Sequence, residues 1–83
     1  MDVKTSVREF LVKNFLFGDS SPLTSDSLSL LDSGIMDSIG VMELVNFLEL
    51  ELKIEVPDAD LIPENLDSVN NLTAFIERQM AKQ

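Results

Sequence analysis

Residues Gly34–Lys53 read GIMDSIGVMELVNFLELELK, and their pattern decides the fold. Val41, Leu44, Val45, Leu48 and Leu52 recur at the spacing of an apolar stripe along an α-helix, while Glu43, Asn46 and Glu49 fall on the opposite side. Ser38 is a residue type favoured at helix N-caps, and Asp37 sets a negative charge beside the positive end of the helix dipole. A helix is therefore expected over about residues 38–53, with Ser38 as its cap. Gly40 weakens its first turn by roughly 1 kcal/mol relative to alanine. Ile39 and Met42 are large and apolar, yet they lie at least partly off the buried stripe.

Before this helix, residues 18–37 hold six serines together with Gly18, Pro22 and Gly34. Serine and aspartate side chains compete for backbone groups, so the segment reads as a long loop. A loop this long in a compact domain is often functional. Leu23, Leu28, Leu30, Leu31 and Ile35 recur through it, and several of them are expected to dock on the core so that the loop is ordered, with a helical turn between Asp26 and Leu31. Upstream, Val3, Val7, Phe10, Leu11 and Phe15, with Phe17 at the end, keep helical spacing over about residues 2–17, and Gly18 stops the run.

Beyond the central helix, Ile54-Glu55-Val56-Pro57 is an extended exit, since Pro57 cannot continue a helix. A short helix is expected over about residues 58–62, capped by Asp58 and ended by Pro63, followed by a connector through Asn65 to Ser68. Ser68 caps a last helix over about residues 68–81, in which Val69, Leu72, Phe75, Ile76 and Met80 are periodic. The fold expected is all-α: one domain over residues 1–83, a small antiparallel four-helix bundle of three principal helices and one short one, with a long first loop.

The composition permits such a bundle. There is no cysteine, so neither disulfides nor thiolate metal sites are available, and the 45% of apolar residues must supply a core. The net charge of −9 is concentrated between Asp19 and Asp67, where twelve acids meet one base, Lys53. A face so acidic repels nucleic acid and anionic lipid and suits basic protein partners. Without a basic stretch leading into an apolar run, and with no window near ~18 apolar residues, neither a signal peptide nor a membrane span is expected. A cytoplasmic monomer is the expectation.

Catalysis can be tested by elimination. Serine nucleophiles need a base, but there is no His, and no lysine falls in an apolar context near Ser38; zinc sites lack both His and Cys. Paired carboxylates stay open by residue type, but a bundle this small offers little room for a water-excluded pocket. Asp58 and Asp60 lack the glycine and terminal glutamate of a calcium loop. The Asn71-Leu72-Thr73 sequon falls inside an expected helix. Ser38 is left, either as a helix cap alone or as a functional serine presented at the tip of a glycine-bearing loop. Exposed Ile39 and Met42 beside acids would then form a docking face, apolar anchors for affinity and charge for steering.

Gly34-Ile35-Met36-Asp37-Ser38-Ile39, followed by Val41-Met42-Glu43-Leu44-Val45 and Phe47-Leu48-Glu49, resembles the attachment motif of acyl and peptidyl carrier proteins. Val56-Pro57-Asp58 and the segment from Leu66 to Ile76 extend the resemblance over essentially the whole chain. The resemblance implies an acyl-carrier-like four-helix bundle with no catalytic activity and no resident metal. It implies that Ser38 receives 4′-phosphopantetheine from coenzyme A through a phosphopantetheinyl transferase, with Asp37 helping to bind that transferase and its magnesium. Ile39, Met42, Glu43 and Glu49 would meet partners, among them an acyl- or aminoacyl-loading ligase and downstream acyl-transferring enzymes with basic surfaces. The cargo would ride as a thioester. Gly40 stands where fatty-acid carriers commonly have an acid, and Asn46 where they often have an apolar residue, which points to a specialised stand-alone carrier. The competing expectation is an unmodified acidic helical domain that binds a protein through the same face.

Overall fold

Helix α1 (Val3–Phe15) begins where the Asp2 carboxylate accepts the Lys4 amide at 3.1 Å, a side-chain cap on a free helix-end donor. The computed structural model describes residues 2–82. Val3, Val7 and Leu11 form the buried face of α1, which packs against α4 (Val69–Ala81). Between them in sequence lie α2 (Ser38–Leu50), a single 3-10 turn (Asp58–Asp60) and the short α3 (Pro63–Leu66). The chain is all-helical, and among the described residues no strand forms.

The core collects residues from every segment. Leu44 and Leu48 of α2, Leu66 of α3, and Leu72, Phe75 and Ile76 of α4 are all buried. The loop contributes Leu23, Leu30 and Met36, while Leu28 and Ile35 are half-buried and Leu31 is exposed. Ile54 and Val56 are buried in the extended exit, where the Gln79 amide donates to the Glu55 carbonyl at 2.8 Å. Ile54–Pro57 is thus held by side-chain burial and by hydrogen bonds to α4 and α2.

The element ends differ from the sequence reading for identifiable reasons. Helix α1 stops at Phe15, and Phe17 turns left-handed at φ 54° instead of adding to the apolar face; it is 96% exposed. Helix α2 stops at Leu50, short of Lys53, because Lys53 at φ 57° reverses the chain so that the Ile54 amide reaches the Leu48 carbonyl at 3.0 Å. Pro63 starts a helix where it was expected to end one. Its fixed φ suits the first helical position, and its missing N–H would have had no partner there. Consequently Asn65 and Leu66 are helical, and the 3-10 turn is confined to Asp58–Asp60. The helical turn expected between Asp26 and Leu31 is displaced: the Ser33 amide donates to the Ser29 carbonyl at 3.0 Å, closing a single turn over Ser29–Ser33, and no helix continues from it.

Two aspartates order the long loop. Asp67, just after α3, accepts Ser29 Oγ at 2.6 Å and the Leu31 amide at 2.9 Å through its carboxylate, and the Leu30 amide at 2.7 Å through its carbonyl. Asp26 joins the loop to both ends of the chain. Its carboxylate bonds Arg8 Nη1 and lies 3.4 Å from Lys4 Nζ on α1, and its carbonyl accepts the Asn70 amide of α4 at 2.9 Å.

The hydrogen bond from Arg8, followed by that from Lys4, holds the Asp26 carboxyl below its ordinary pKa. A lowered folded-state pKa gives stabilisation that is present above the unfolded-state pKa and lost as pH falls through the folded one. Asp26→Asn is therefore expected to melt below the wild type at neutral pH. The gap should close on acidification through and below the ordinary carboxylate range, and shrink with added salt. Parallel melting curves across that pH range would contradict it.

Candidate functional site

The approach to α2 is a turn built by Gly34, which sits at φ 82°, a left-handed conformation that L side chains resist. The Gly34 amide donates to the Leu31 carbonyl at 3.2 Å, and the Met36 amide to the Leu30 carbonyl at 3.0 Å. Met36 is thereby driven into the core, at 2% exposure, and the chain emerges at Asp37 in an extended conformation.

Asp37 is the N-cap of α2. Its Oδ1 accepts the Gly40 amide at 2.8 Å, and its carbonyl accepts the Val41 amide at 2.9 Å. The cap expected from sequence is Ser38, one residue later. Aspartate and serine are nearly equal as caps, so residue type could not separate them; the extended backbone at Asp37 does. Ser38 is the first residue of the helix itself. It is exposed, and among the described residues its hydroxyl makes no hydrogen bond.

The helix then splits into two faces. Gly40, Leu44, Val45 and Leu48 are buried, with Val41 and Phe47 half-buried beside them. Ile39 at 72% exposure, Met42 at 56%, Glu43, Asn46, Glu49 and Leu50 make a continuous outer stripe starting one residue from Ser38. Leu50 is 69% exposed and belongs to this stripe, a place that residue type alone does not reveal; Ile62, beyond the 3-10 turn, is a further exposed apolar residue. The signal for Leu50 was its displacement from the Leu44–Leu48 spacing.

Ser38 lines neither of two surface grooves. One, of about 710 Å³, runs between α1 and α2 past Phe10, Lys13, Phe47 and Leu50; the other, of about 660 Å³, borders Val12 and Phe17. Among the described residues no cluster of His, Cys, Asp or Glu is placed to hold a metal ion, and no helix is long and apolar enough to cross a membrane. The site is thus an exposed hydroxyl at the positive end of a thirteen-residue helix, with an acidic cap beside it.

Residues 17–76 match the family described as "Phosphopantetheine attachment site". The chain belongs to that family. Its cofactor is 4′-phosphopantetheine, and its members are carriers, not catalysts, that work with a phosphopantetheinyl transferase and with ligases or acyltransferases. A similar protein is the D-alanyl carrier protein of Streptococcus suis (strain 05ZYH33), 29% identical over 80 residues, which are 96% of this chain and 98% of that one. The two chains align along almost their full lengths.

The start of α2 fits the cofactor's phosphodiester. The first helical amides, at Ser38 and Ile39, have no intrahelical acceptor, and a helix N-terminus favours an anion. Gly40, which from sequence looked like a missing surface acid, faces inward and is buried. Asn46 is exposed on the outer stripe.

Proposed function

We propose that Ser38 is the residue to which 4′-phosphopantetheine is attached, and that the carrier holds an aminoacyl group for delivery to partner enzymes. The observation that carries this reading is the exposed Ser38 hydroxyl, which makes no hydrogen bond among the described residues while Asp37 does the capping. In the modifying reaction the Ser38 oxygen forms a bond to the phosphorus of coenzyme A that bears the pantetheine, loses its proton, and releases adenosine 3′,5′-bisphosphate. Asp37, with Oδ1 held by the Gly40 amide, offers its second carboxylate oxygen toward the transferase and its magnesium. When bound, the cofactor supplies a long arm ending in a thiol that holds the cargo as a thioester. With no cysteine in the chain, that thiol has no competitor.

Ile39, Met42, Glu43 and Glu49 form the surface that partners read: apolar anchors next to carboxylates, suited to basic docking surfaces on the transferase and the loading ligase. The full-length similarity to a D-alanyl carrier protein supports an amino-acid cargo over a fatty-acid one. The protein acts as a monomer.

Incubation with coenzyme A, magnesium and a broad-specificity transferase, followed by intact mass measurement, tests the reading. The wild type is expected to gain one phosphopantetheinyl group and Ser38→Ala none. A wild type that gains nothing would instead support an unmodified interaction domain.

A further inference from the structure

Asp37, Ser38 and Ile39 are exposed, while the residues on either side of them, Met36 and Gly40, are buried. A glycine in a first helical turn is unfavourable by about 1 kcal/mol relative to alanine, so propensity does not explain it. Space does. A Cβ placed on Gly40 would lie 2.9 Å from Phe15 Cε1, 3.0 Å from Met36 Cγ and 3.3 Å from Phe15 Cζ, closer than carbon atoms pack.

Each neighbour is held by its own packing, Phe15 while half-buried. Met36 is enclosed by the core. The Phe15 ring stands edge-on to Phe10, with centroids 5.7 Å apart at 81°, and Phe10 stacks on Phe47 of α2 at 4.2 Å and 22°. The ring that touches the first turn of α2 is thus braced, through Phe10, against the third turn of the same helix. Phe15 is also the last residue of α1, so the contact seats the end of α1 on the start of α2. Gly40 is tied a second time by its amide, which donates to Asp37 Oδ1 at 2.8 Å.

We propose that Gly40 is a positioning residue for Ser38. Its missing side chain lets Phe15 and Met36 close on the turn, and its amide orients the Asp37 carboxylate; together these hold the Asp37–Ser38 pair in the arrangement the transferase engages. The proposal rests on Ser38 being the attachment residue. A methyl group at position 40 displaces the braced ring or the turn itself, and the turn carries Ser38.

The test is the kcat and KM of phosphopantetheinylation, with coenzyme A, magnesium and a broad-specificity transferase, alongside the Tm of each variant. Gly40→Ala is expected to lose about tenfold or more in kcat/KM while still folded at the assay temperature, because small misplacements of a reacting group are costly. Adding Phe15→Leu restores room, and the double variant should recover to within about threefold of wild type, since the two positions are coupled through one contact. Ile76→Val, a destabilising control within α4, should keep the wild-type rate and so separate positioning from stability. A wild-type rate in Gly40→Ala, or no recovery in the double variant, overturns the proposal. Should Gly40→Ala alone fail to fold, the double variant decides by the same thresholds. An unmodified wild type overturns the attachment reading and this proposal with it, whereas a modified wild type with an indifferent Gly40→Ala overturns only the proposal.

Discussion

Leu48→Ala will cost the fold about 2–5 kcal/mol, while Ile39→Ala, nine residues earlier on the same helix, will leave Tm nearly unchanged. Leu48 is fully buried in the core shared with α4, so truncation removes transfer free energy and leaves a cavity that the helix can only partly close. A domain of this length has roughly 4–12 kcal/mol of stability in total, so the loss is a large fraction of it. Ile39 is 72% exposed and surrenders almost no buried contact. Its effect should instead appear in association with the transferase, where an apolar anchor contributes about 1–2 kcal/mol, about tenfold in Kd. Chemical denaturation and titration calorimetry on the two variants check this. Equal destabilisation by both would put Ile39 in the core and remove it from the partner face.

Asp67→Ala will detach the long loop. Three loop groups converge on this residue: Ser29 Oγ and the Leu31 amide on the carboxylate, the Leu30 amide on the carbonyl. Alanine keeps the carbonyl and deletes the two bonds to a charged acceptor, for an expected loss of about 2–4 kcal/mol, reduced where the groups reach water. Leu30 is fully buried and its carbonyl receives the Met36 amide, so loosening here propagates to the turn that presents Asp37 and Ser38. Hydrogen exchange should show lost protection at the Leu31 and Met36 amides with α4 still protected. An unchanged exchange pattern would mean that the Asp67 carboxylate does not order the loop.

The apolar stripe of α2 was legible from spacing because its period is set by the backbone and its partners need only be apolar. The same logic made Val3, Val7 and Leu11 of α1, and Leu72 and Ile76 of α4, readable as core. Spacing failed where a single residue's backbone decides the path. Phe17 fitted the apolar pattern of α1 but turns left-handed and points to solvent, and Lys53 ends the run of α2 in the same way. Pro63 has two meanings in a sequence, stop and start, and only the extended backbone at Ile62 before it selects the second.

At the site, Asp37-Ser38 could be recognised as a helix start, but which of the two caps was a matter of one residue's φ and ψ. That single residue matters chemically, because a serine engaged in capping has its oxygen occupied and a serine after the cap does not. The inward role of Gly40 was illegible for a different reason: it depends on Phe15, twenty-five residues earlier, and no local pattern connects them.

The most direct test is to locate the modification in protein isolated from its own cells. Trypsin should release the segment from Asn14 to Lys53, which holds Ser38 and the six loop serines from Ser20 to Ser33. Fragmentation of that peptide is predicted to place one phosphopantetheinyl group on Ser38 and on no other serine. A group found on a loop serine, or a peptide that carries none, would contradict the account.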